Sequence, residues 1–424
     1  MIKKSAVQTS YGCCDTEYAR GRGAMPSIAN MLGLIEKVGS PFITVHQDRC
    51  ALVRNRHADC LRCAGVCTSG CIHYDEQAEQ LVITPELCIG CGTCATVCPT
   101  CCLEAHHPND TEMIERCRTA ARATGGTITI ACGTRLSQAA GLYDTDKVVR
   151  VECLGRVEES VLTLMQSEGA NIVLVHGQCA ECEHRCGWNM LQTVLETEKT
   201  LLEAWRQPLN VRVSAKLPAA TRRATDEAFD KSKRQAFEES GKDAARVGGV
   251  LADFAVSEIT GAEFSPQKTK NYVKVMADGT LPHFLPDRRE RLLDALATFG
   301  DPDDVMIDTR LWGHVIIDTE KCQSCRMCAA FCPTGALRKF GEDEGEGSEF
   351  GVEHYPGDCV KCHSCEKICP ADAITISEEV FARELFAGAT DAYYMKPVPV
   401  KRGQAHTIWK LQQTMCLTDQ VYER

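Results

Sequence analysis

The segment Val315–Phe340 reads VIIDTEKCQSCRMCAAFCPTGALRKF and sets Cys322, Cys325, Cys328 and Cys332 in the spacing C-x2-C-x2-C-x3-C, closed by Pro333. A short β-branched run precedes the first thiol and a second apolar run follows the last. The chain repeats this pattern. VEHYPGDCVKCHSCEKICPADAITI carries Cys359, Cys362, Cys365 and Cys369 before Pro370, and VITPELCIGCGTCATVCPTCCLE carries Cys88, Cys91, Cys94 and Cys98 before Pro99. A distorted copy, FITVHQDRCALVRNRHADCLRCAGVCTSGCIHY, supplies Cys50, Cys60, Cys63 and Cys67, with nine residues between its first two cysteines and Thr68 where proline is expected. Each copy predicts a strand, a thiol-bearing loop with one helical turn, and a returning strand.

Three closely spaced thiolates wrap one face of a 4Fe–4S cubane, while the fourth points away to a neighbouring cluster, so two motifs make two clusters by exchange. That rule groups Cys322, Cys325, Cys328 and Cys369, and then Cys359, Cys362, Cys365 and Cys332. In the N-terminal pair it groups Cys88, Cys91, Cys94 and Cys67, and then Cys50, Cys60, Cys63 and Cys98. On these motifs the chain resembles the bacterial dicluster ferredoxin family over residues 41–105 and 313–377. The resemblance implies four 4Fe–4S clusters and one-electron transfer. Cys71 and Cys102 occupy the slot of Ala336 and read as packing thiols or spare ligands. Paired C-x2-C units also build structural zinc sites, but four cysteines in so short a run closed by proline favour iron and sulfide. Cys359-Val-Lys-Cys362-His363 also fits c-type haem attachment, yet it lies inside a complete cluster run.

The chain has 424 residues, 28 of them cysteine, and a formal net charge of −11. With 44% hydrophobic and 25% charged residues it reads as a globular protein of several domains. Its N-terminus shows no apolar signal core and no stretch suits a membrane helix, so a cytoplasmic, reducing setting is expected, with no direct membrane span. The acidic balance argues against nucleic acid as a partner and for a basic docking surface on a partner subunit.

Between the motif pairs the pattern changes. GTITIAC, KVVRVEC and ANIVLVHGQC are near-continuous β-branched runs separated by helical stretches, which predicts a small parallel α/β sheet covered on both faces. A longer helix is expected from about Trp188 to Arg206. The three runs end on Cys132, Cys153 and Cys179, and Cys182 and Cys186 follow. Ligands of open α/β sheets bind beyond the carboxyl ends of the strands, so five thiols are expected to converge on one further cluster. The elements around Cys132, Val151-Glu-Cys153-Leu-Gly-Arg156 and the cysteine-rich turn after Val173-Leu-Val-His-Gly177 resemble the iron–sulfur (delta) subunit of methyl-viologen-reducing hydrogenases. That resemblance implies a 2Fe–2S cluster and a role in passing electrons toward a heterodisulfide reductase. Arg135 stands where the family has a second cysteine, and Cys182 and Cys186 are additions, so a 4Fe–4S cluster stays open as well.

The expected organisation is multidomain α+β and α/β: an N-terminal extension (1–40), a dicluster ferredoxin domain (41–108), the α/β iron–sulfur domain (109–206), a helical connector (207–312), a second dicluster domain (313–378) and a C-terminal docking tail (379–424). In the connector, residues 231–259 and the stretch from Arg288 read as amphipathic helices. Arg288, Arg289 and Arg291 with Lys268 and Lys270 suit a salt-laced surface or a docking patch. Gly341–Glu349 reads as an acidic loop. Cys117 reads as a small core residue and Cys13 and Cys14 as surface or interface thiols, while Cys101 and Cys416 receive no role. No nucleotide, zinc-protease or hydrolase motif is present, so no catalytic residue is expected. The function expected is an electron-transfer subunit of an anaerobic oxidoreductase complex, its partners being flavin, molybdenum or tungsten, or hydrogenase subunits. The other readings are a disulfide or sulfur reductase acting at the five-thiol site, and a metal-stabilised binding scaffold.

Overall fold

The computed structural model describes residues 40–223, 276, 280–341, 349–388 and 391–396. Cys13, Cys14, Cys416, the helix expected over 231–259, Lys268, Lys270 and most of the acidic loop lie outside the described residues.

The N-terminal unit folds as the repeats predict. Strand β1 (Ile43–Val45) leads past the short α1 (Ala51–Arg54) and α2 (Arg62–Gly65) to a hairpin of β2 (Ile72–Asp75) and β3 (Gln80–Ile83). After α3 (Thr93–Val97) the chain returns in β4 (Leu103–Ala105), antiparallel to β1 with Ile43 opposite Ala105.

Helix α4 (Asp110–Thr124) opens with a capping box, in which Asn109 accepts the Glu112 N–H at 2.9 Å and the Glu112 side chain accepts in return. It ends at Gly125 with φ near +70°, a left-handed cap that glycine adopts without strain. A parallel sheet follows in the order β6 (Val148–Val151), β5 (Thr127–Cys132), β7 (Asn171–Val175), β8 (Val211–Ser214). The chain alternates these strands with α5 (Gly133–Gln138), α6 (Glu159–Ser167) and α7 (Cys186–Ala204). Ile128, Ile130, Ile172 and Leu174 bury one face against Met113, Cys117, Val161 and Leu162. Ala131, Val173 and Val175 bury the other with Leu136. Strand β8 lies in the stretch expected to be a helical connector; it is short and partly exposed, and the sheet edge at β7 supplies its pairing.

Helix α8 (Asp287–Ala297) precedes β9 (Met306–Asp308) and the C-terminal unit. There β10 (His314–Ile317) pairs with β13 (Ile374–Ser377), and β11 (Leu337–Phe340) pairs with β12 (Gly351–His354). The helical turns α9 (Met327–Phe331) and α10 (Ser364–Ile368) sit in the two loops, and β14 (Glu379–Phe381) pairs with β9. The tail folds back on its own chain, adding β15 (Asp391–Tyr394) to β12. Among the described residues no helix is long and apolar enough to cross a membrane.

Arg288, Arg289 and Arg291 are not a surface patch. Arg288 donates to the Ala95 carbonyl at 2.8 Å, Arg289 stacks 4.2 Å over Trp312, and Arg291 donates to Ser160 Oγ at 2.8 Å and Asp110 at 2.7 Å. Arg288 and Arg291 clamp the connector to the N-terminal ferredoxin unit and the α/β unit, and Arg289 packs within the connector; apolar periodicity marks a helix without saying which neighbours its charged side chains meet.

Candidate metal centres

The three regular loops share a backbone signature. The second and fourth residues after the first cysteine have positive φ: Gly90 and Gly92, Ser324 and Arg326, Lys361 and His363. Only the first loop uses glycine; in the others the bend costs of order 1 kcal/mol per residue and is held by its surroundings. The bends turn backbone N–H groups onto the thiols, as Ser324 does toward Cys322 Sγ at 3.4 Å. Lys361, Ser364, Gly90 and Thr93 do the same for Cys359, Cys362, Cys88 and Cys91. A second bend recurs three residues after each fourth cysteine, at Gly70, Cys101, Gly335 and Asp372. Cys101 therefore sits at a turn position, and the N–H of Cys102 reaches Cys98 Sγ at 3.3 Å as Ala373 reaches Cys369 Sγ at 3.3 Å.

The expected groupings come together in space. Burial pushes up the Cys60 and Cys63 thiols, and both also feel the charges of Cys50 and Cys98. Cys91 is raised by burial and by Cys67 and Cys88, and Cys94 by burial and by Cys91, Cys88 and Cys67. Burial raises Cys322 and Cys328, with Cys325 and Cys369 adding to both. Cys365 is raised by burial and then by Cys362, Cys359 and Cys332. In each pair of motifs the fourth thiol has crossed to the other motif's trio.

In the α/β unit Cys132 ends β5, Cys153 lies two residues beyond β6, and Cys179 lies four residues beyond β7. Burial pushes Cys153 up to about 12, with Cys179 and Cys182 among its charged neighbours, and Cys179 is raised by burial and then by Cys132 and Cys182. Cys132, Cys153, Cys179 and Cys182 thus form one group at the sheet edge, and Cys186 opens α7 as a buried residue. The N–H groups of Gly155 and His184 reach Cys153 and Cys182 at 3.4 and 3.5 Å, the same two-residue step seen in the ferredoxin loops.

The groups stand in a row. Cys153 feels Cys91, Cys94 feels Cys63, Cys362 feels Cys60, and Cys365 feels Cys328. The order is therefore the sheet-edge group, the Cys67 group, the Cys50 group, the Cys332 group and the Cys322 group. Side chains bolt the third group to the fourth: Arg62 donates to the Lys361 carbonyl at 3.0 Å, Asn55 to Ser364 at 3.2 Å, and Lys367 pairs with Asp59 at 2.6 Å. Arg54 is buried at this junction, its ionisation lowered by burial and opposed by the nearby Cys332, Asp48 and Cys362. At the other end Gly155 and Gly187 let the α/β unit approach Thr93: a side chain on Gly155 would overlap Thr93 Oγ1 and the Gly187 backbone, and one on Gly187 would overlap Cys153 Sγ.

Whether these thiols suit a cluster or a single ion is a question of spacing. Four sulfurs on one tetrahedral zinc lie ~3.8 Å apart. Among the described residues, no three thiols lie within 4.8 Å of one another. Four thiols with inward N–H donors and wider separations fit the outer ligands of an iron–sulfur cluster. Two groups carry a fifth thiol. Cys71 Sγ is 3.4 Å from Cys67 Sγ, and hydrogen bonding within these pairs keeps the proton on Cys71 and lowers Cys67 and Cys88. Cys102 stands in the same relation to Cys50, raised while Cys50 falls to about 7.

A family model described as a 4Fe–4S dicluster domain matches residues 321–373, and one described as a 4Fe–4S binding domain matches residues 81–100. Over 63 residues the chain is 36% identical to an uncharacterised ferredoxin of Methanocaldococcus jannaschii, spanning 15% of this chain and 77% of that one. Over 60 residues it is 38% identical to the pyruvate synthase subunit PorD of the same organism, spanning 14% of this chain and 62% of that one. A pyruvate dehydrogenase (NADP+) of Cryptosporidium parvum is 34% identical over 79 aligned positions, 14% of this chain and 4% of that protein. The chain thus spans less than two thirds of these last two relatives. No solved structure matches. The matches imply 4Fe–4S clusters and an iron–sulfur electron-transfer role.

Proposed function

We propose that this chain, which belongs to the 4Fe–4S ferredoxin family, is the relay subunit of a larger cytoplasmic oxidoreductase complex, carrying single electrons between a donor and a catalytic partner. The reading assigns one 4Fe–4S cluster to each of the four ferredoxin groups and a fifth centre, 2Fe–2S or 4Fe–4S, to the sheet-edge thiols. Each centre, when bound, takes up and gives back one electron.

The observation that carries the reading is the row itself: each thiol group has a member within electrostatic reach of the next, from Cys153 beside Cys91 to Cys365 beside Cys328. A scaffold needs no such order. The chain's own residues do three things: they hold the groups in register through Arg62, Asn55 and Lys367, they exclude water by burial, and they tune each group through backbone N–H donors. The relative that is a pyruvate synthase subunit favours a partner of that multisubunit kind. The sheet-edge unit, like a hydrogenase delta subunit in its cysteine pattern, favours a hydrogenase- or heterodisulfide-reductase-type partner at that end.

Reductive titration under argon tests the proposal. Uptake of about five electrons per chain, one per thiol group, is expected. Uptake of none by iron-loaded protein would reduce the chain to a scaffold.

A further inference from the structure

Away from the thiol groups, three strands of the C-terminal unit bring unlike residues to one point. His314 opens β10, His354 closes β12 and Asp391 opens β15, with His354 directly opposite Asp391 in the sheet register. His314 Nε2 lies 2.9 Å from Asp391 Oδ2, and the two imidazoles meet edge to face at 5.1 Å. One donor atom from each of the three residues lies within 4.8 Å of the others.

A second observation points to a ligand. His354 is fully buried, yet neither of its ring nitrogens has a hydrogen-bond partner. Leaving a buried polar atom unpaired costs roughly 1–3 kcal/mol, and imidazole carries two such atoms here. Asp391 Oδ2 is 3.9 Å from Nδ1, too far to satisfy it directly. On the outer side of His314, Glu384 Oε2 lies 3.5 Å from Nδ1, and that oxygen too is buried without a hydrogen-bond partner. A carboxylate behind the far nitrogen of a ligating imidazole fixes its tautomer and leaves the near nitrogen for the metal.

We propose that His314, His354 and Asp391 form a binding site for one divalent transition-metal ion of zinc type, separate from the iron–sulfur centres, with Glu384 positioning His314. Two imidazoles and a carboxylate suit zinc or ferrous ions and disfavour magnesium or calcium, which prefer all-oxygen shells. Ligands of one tetrahedral ion lie ~3.4 Å apart, so only small shifts are needed: His314 and Asp391, at 2.9 Å, would open slightly, and His354, 3.9 Å from Asp391, would close. The ion would satisfy one of the two unpaired nitrogens of His354 and pin β15, the last described strand, onto β12. It touches none of the cluster thiols, so it stands or falls apart from the relay reading.

The test uses the iron-loaded full chain, incubated anaerobically with one equivalent of Zn2+, desalted and measured by X-ray absorption at the zinc edge. The expected result is one bound zinc with nitrogen and oxygen scatterers alone at about 2.0–2.1 Å and unchanged iron content. Asp391→Asn and His314→Ala should abolish retention, and Glu384→Gln should weaken it by ~10–100-fold. The cluster paramagnetic signal checks that each variant is folded, and if His314→Ala loses it, Asp391→Asn at the strand edge decides. Zinc bound through sulfur at about 2.3 Å, zinc retained equally by folded Asp391→Asn, or no zinc at all would overturn the site.

Discussion

The guanidinium of Arg62 donates to the backbone oxygen of Lys361 at 3.0 Å, joining the loop that carries Cys60 and Cys63 to the loop that carries Cys359 and Cys362. The two ferredoxin units are 299 positions apart at this bond, yet thiols on its two sides lie close enough for Cys60 to raise Cys362. The bond marks where the row of thiol groups passes from one unit to the other.

Replacing Arg62 with Ala should therefore loosen this junction while leaving both clusters intact. The stability loss should be modest, about 1 kcal/mol, with unchanged iron content. Magnetic interaction between the reduced Cys50 and Cys332 groups, read from paramagnetic line broadening, should weaken. An unaltered spectrum would mean that the junction lies elsewhere.

The spare thiols make an asymmetric prediction. Cys67→Ser should retain its cluster, because Cys71 lies 3.4 Å away and can take over as ligand. Cys67→Ser combined with Cys71→Ala should lose it. Cys369→Ser should lose its cluster outright, since Ala373 fills the equivalent slot. Iron analysis per chain reads all three, and equal loss in both single variants would refute the substitution.

At the other end of the row, Gly155→Ala would drive a methyl group toward Thr93 Oγ1 and the Gly187 backbone. Overpacking of this kind costs about 1–3 kcal/mol. It should separate Cys153 from Cys91 and detach the sheet-edge centre magnetically from the Cys67 group. Thermal unfolding and the paramagnetic spectrum together check the effect.

Asp110 links the units electrostatically, since Arg156 and Arg291 both pair with it. Burial disfavours its charge, but the two arginines outweigh that and lower the carboxyl to about 2. A depressed carboxylate stabilises the fold above its unfolded value near 3.8 and loses that contribution as pH falls toward 2. Because the Asp110 carboxylate is about a third exposed and solvent screens its pairs, Asp110→Asn should cost about 1 kcal/mol at pH 7. The gap from the unsubstituted protein should stay constant down to pH 5 and narrow only below about pH 4. Unfolding midpoints across that range provide the check.

Much of this arrangement is legible from local spacing. The C-x2-C-x2-C-x3-C-P runs anticipate the loops and the helical turns, because both are set within a dozen residues of chain. The β-branched runs ending near Cys132, Cys153 and Cys179 anticipate a thiol group at a sheet edge. What depends on distant packing is not legible. Strand β8 carries the alternating Val211-Arg-Val213-Ser of an edge strand and follows Pro208, so nothing local separates it from a loop. The left-handed bends at Ser324, Arg326, Lys361 and His363 lack the glycines that advertise them at Gly90 and Gly92. The inward arginines of α8 and the meeting of His354 with Asp391 arise from contacts that no periodicity encodes. The order of the five groups is of the same kind.

The most direct measurement is the iron, acid-labile sulfide and zinc content of protein prepared without oxygen, with paramagnetic resonance after dithionite. Iron and sulfide of about eighteen each are expected for a 2Fe–2S sheet-edge centre, or about twenty each for a 4Fe–4S one, with a strong signal on reduction. Colourless protein with several zinc ions in place of iron, and no signal on reduction, would contradict the account.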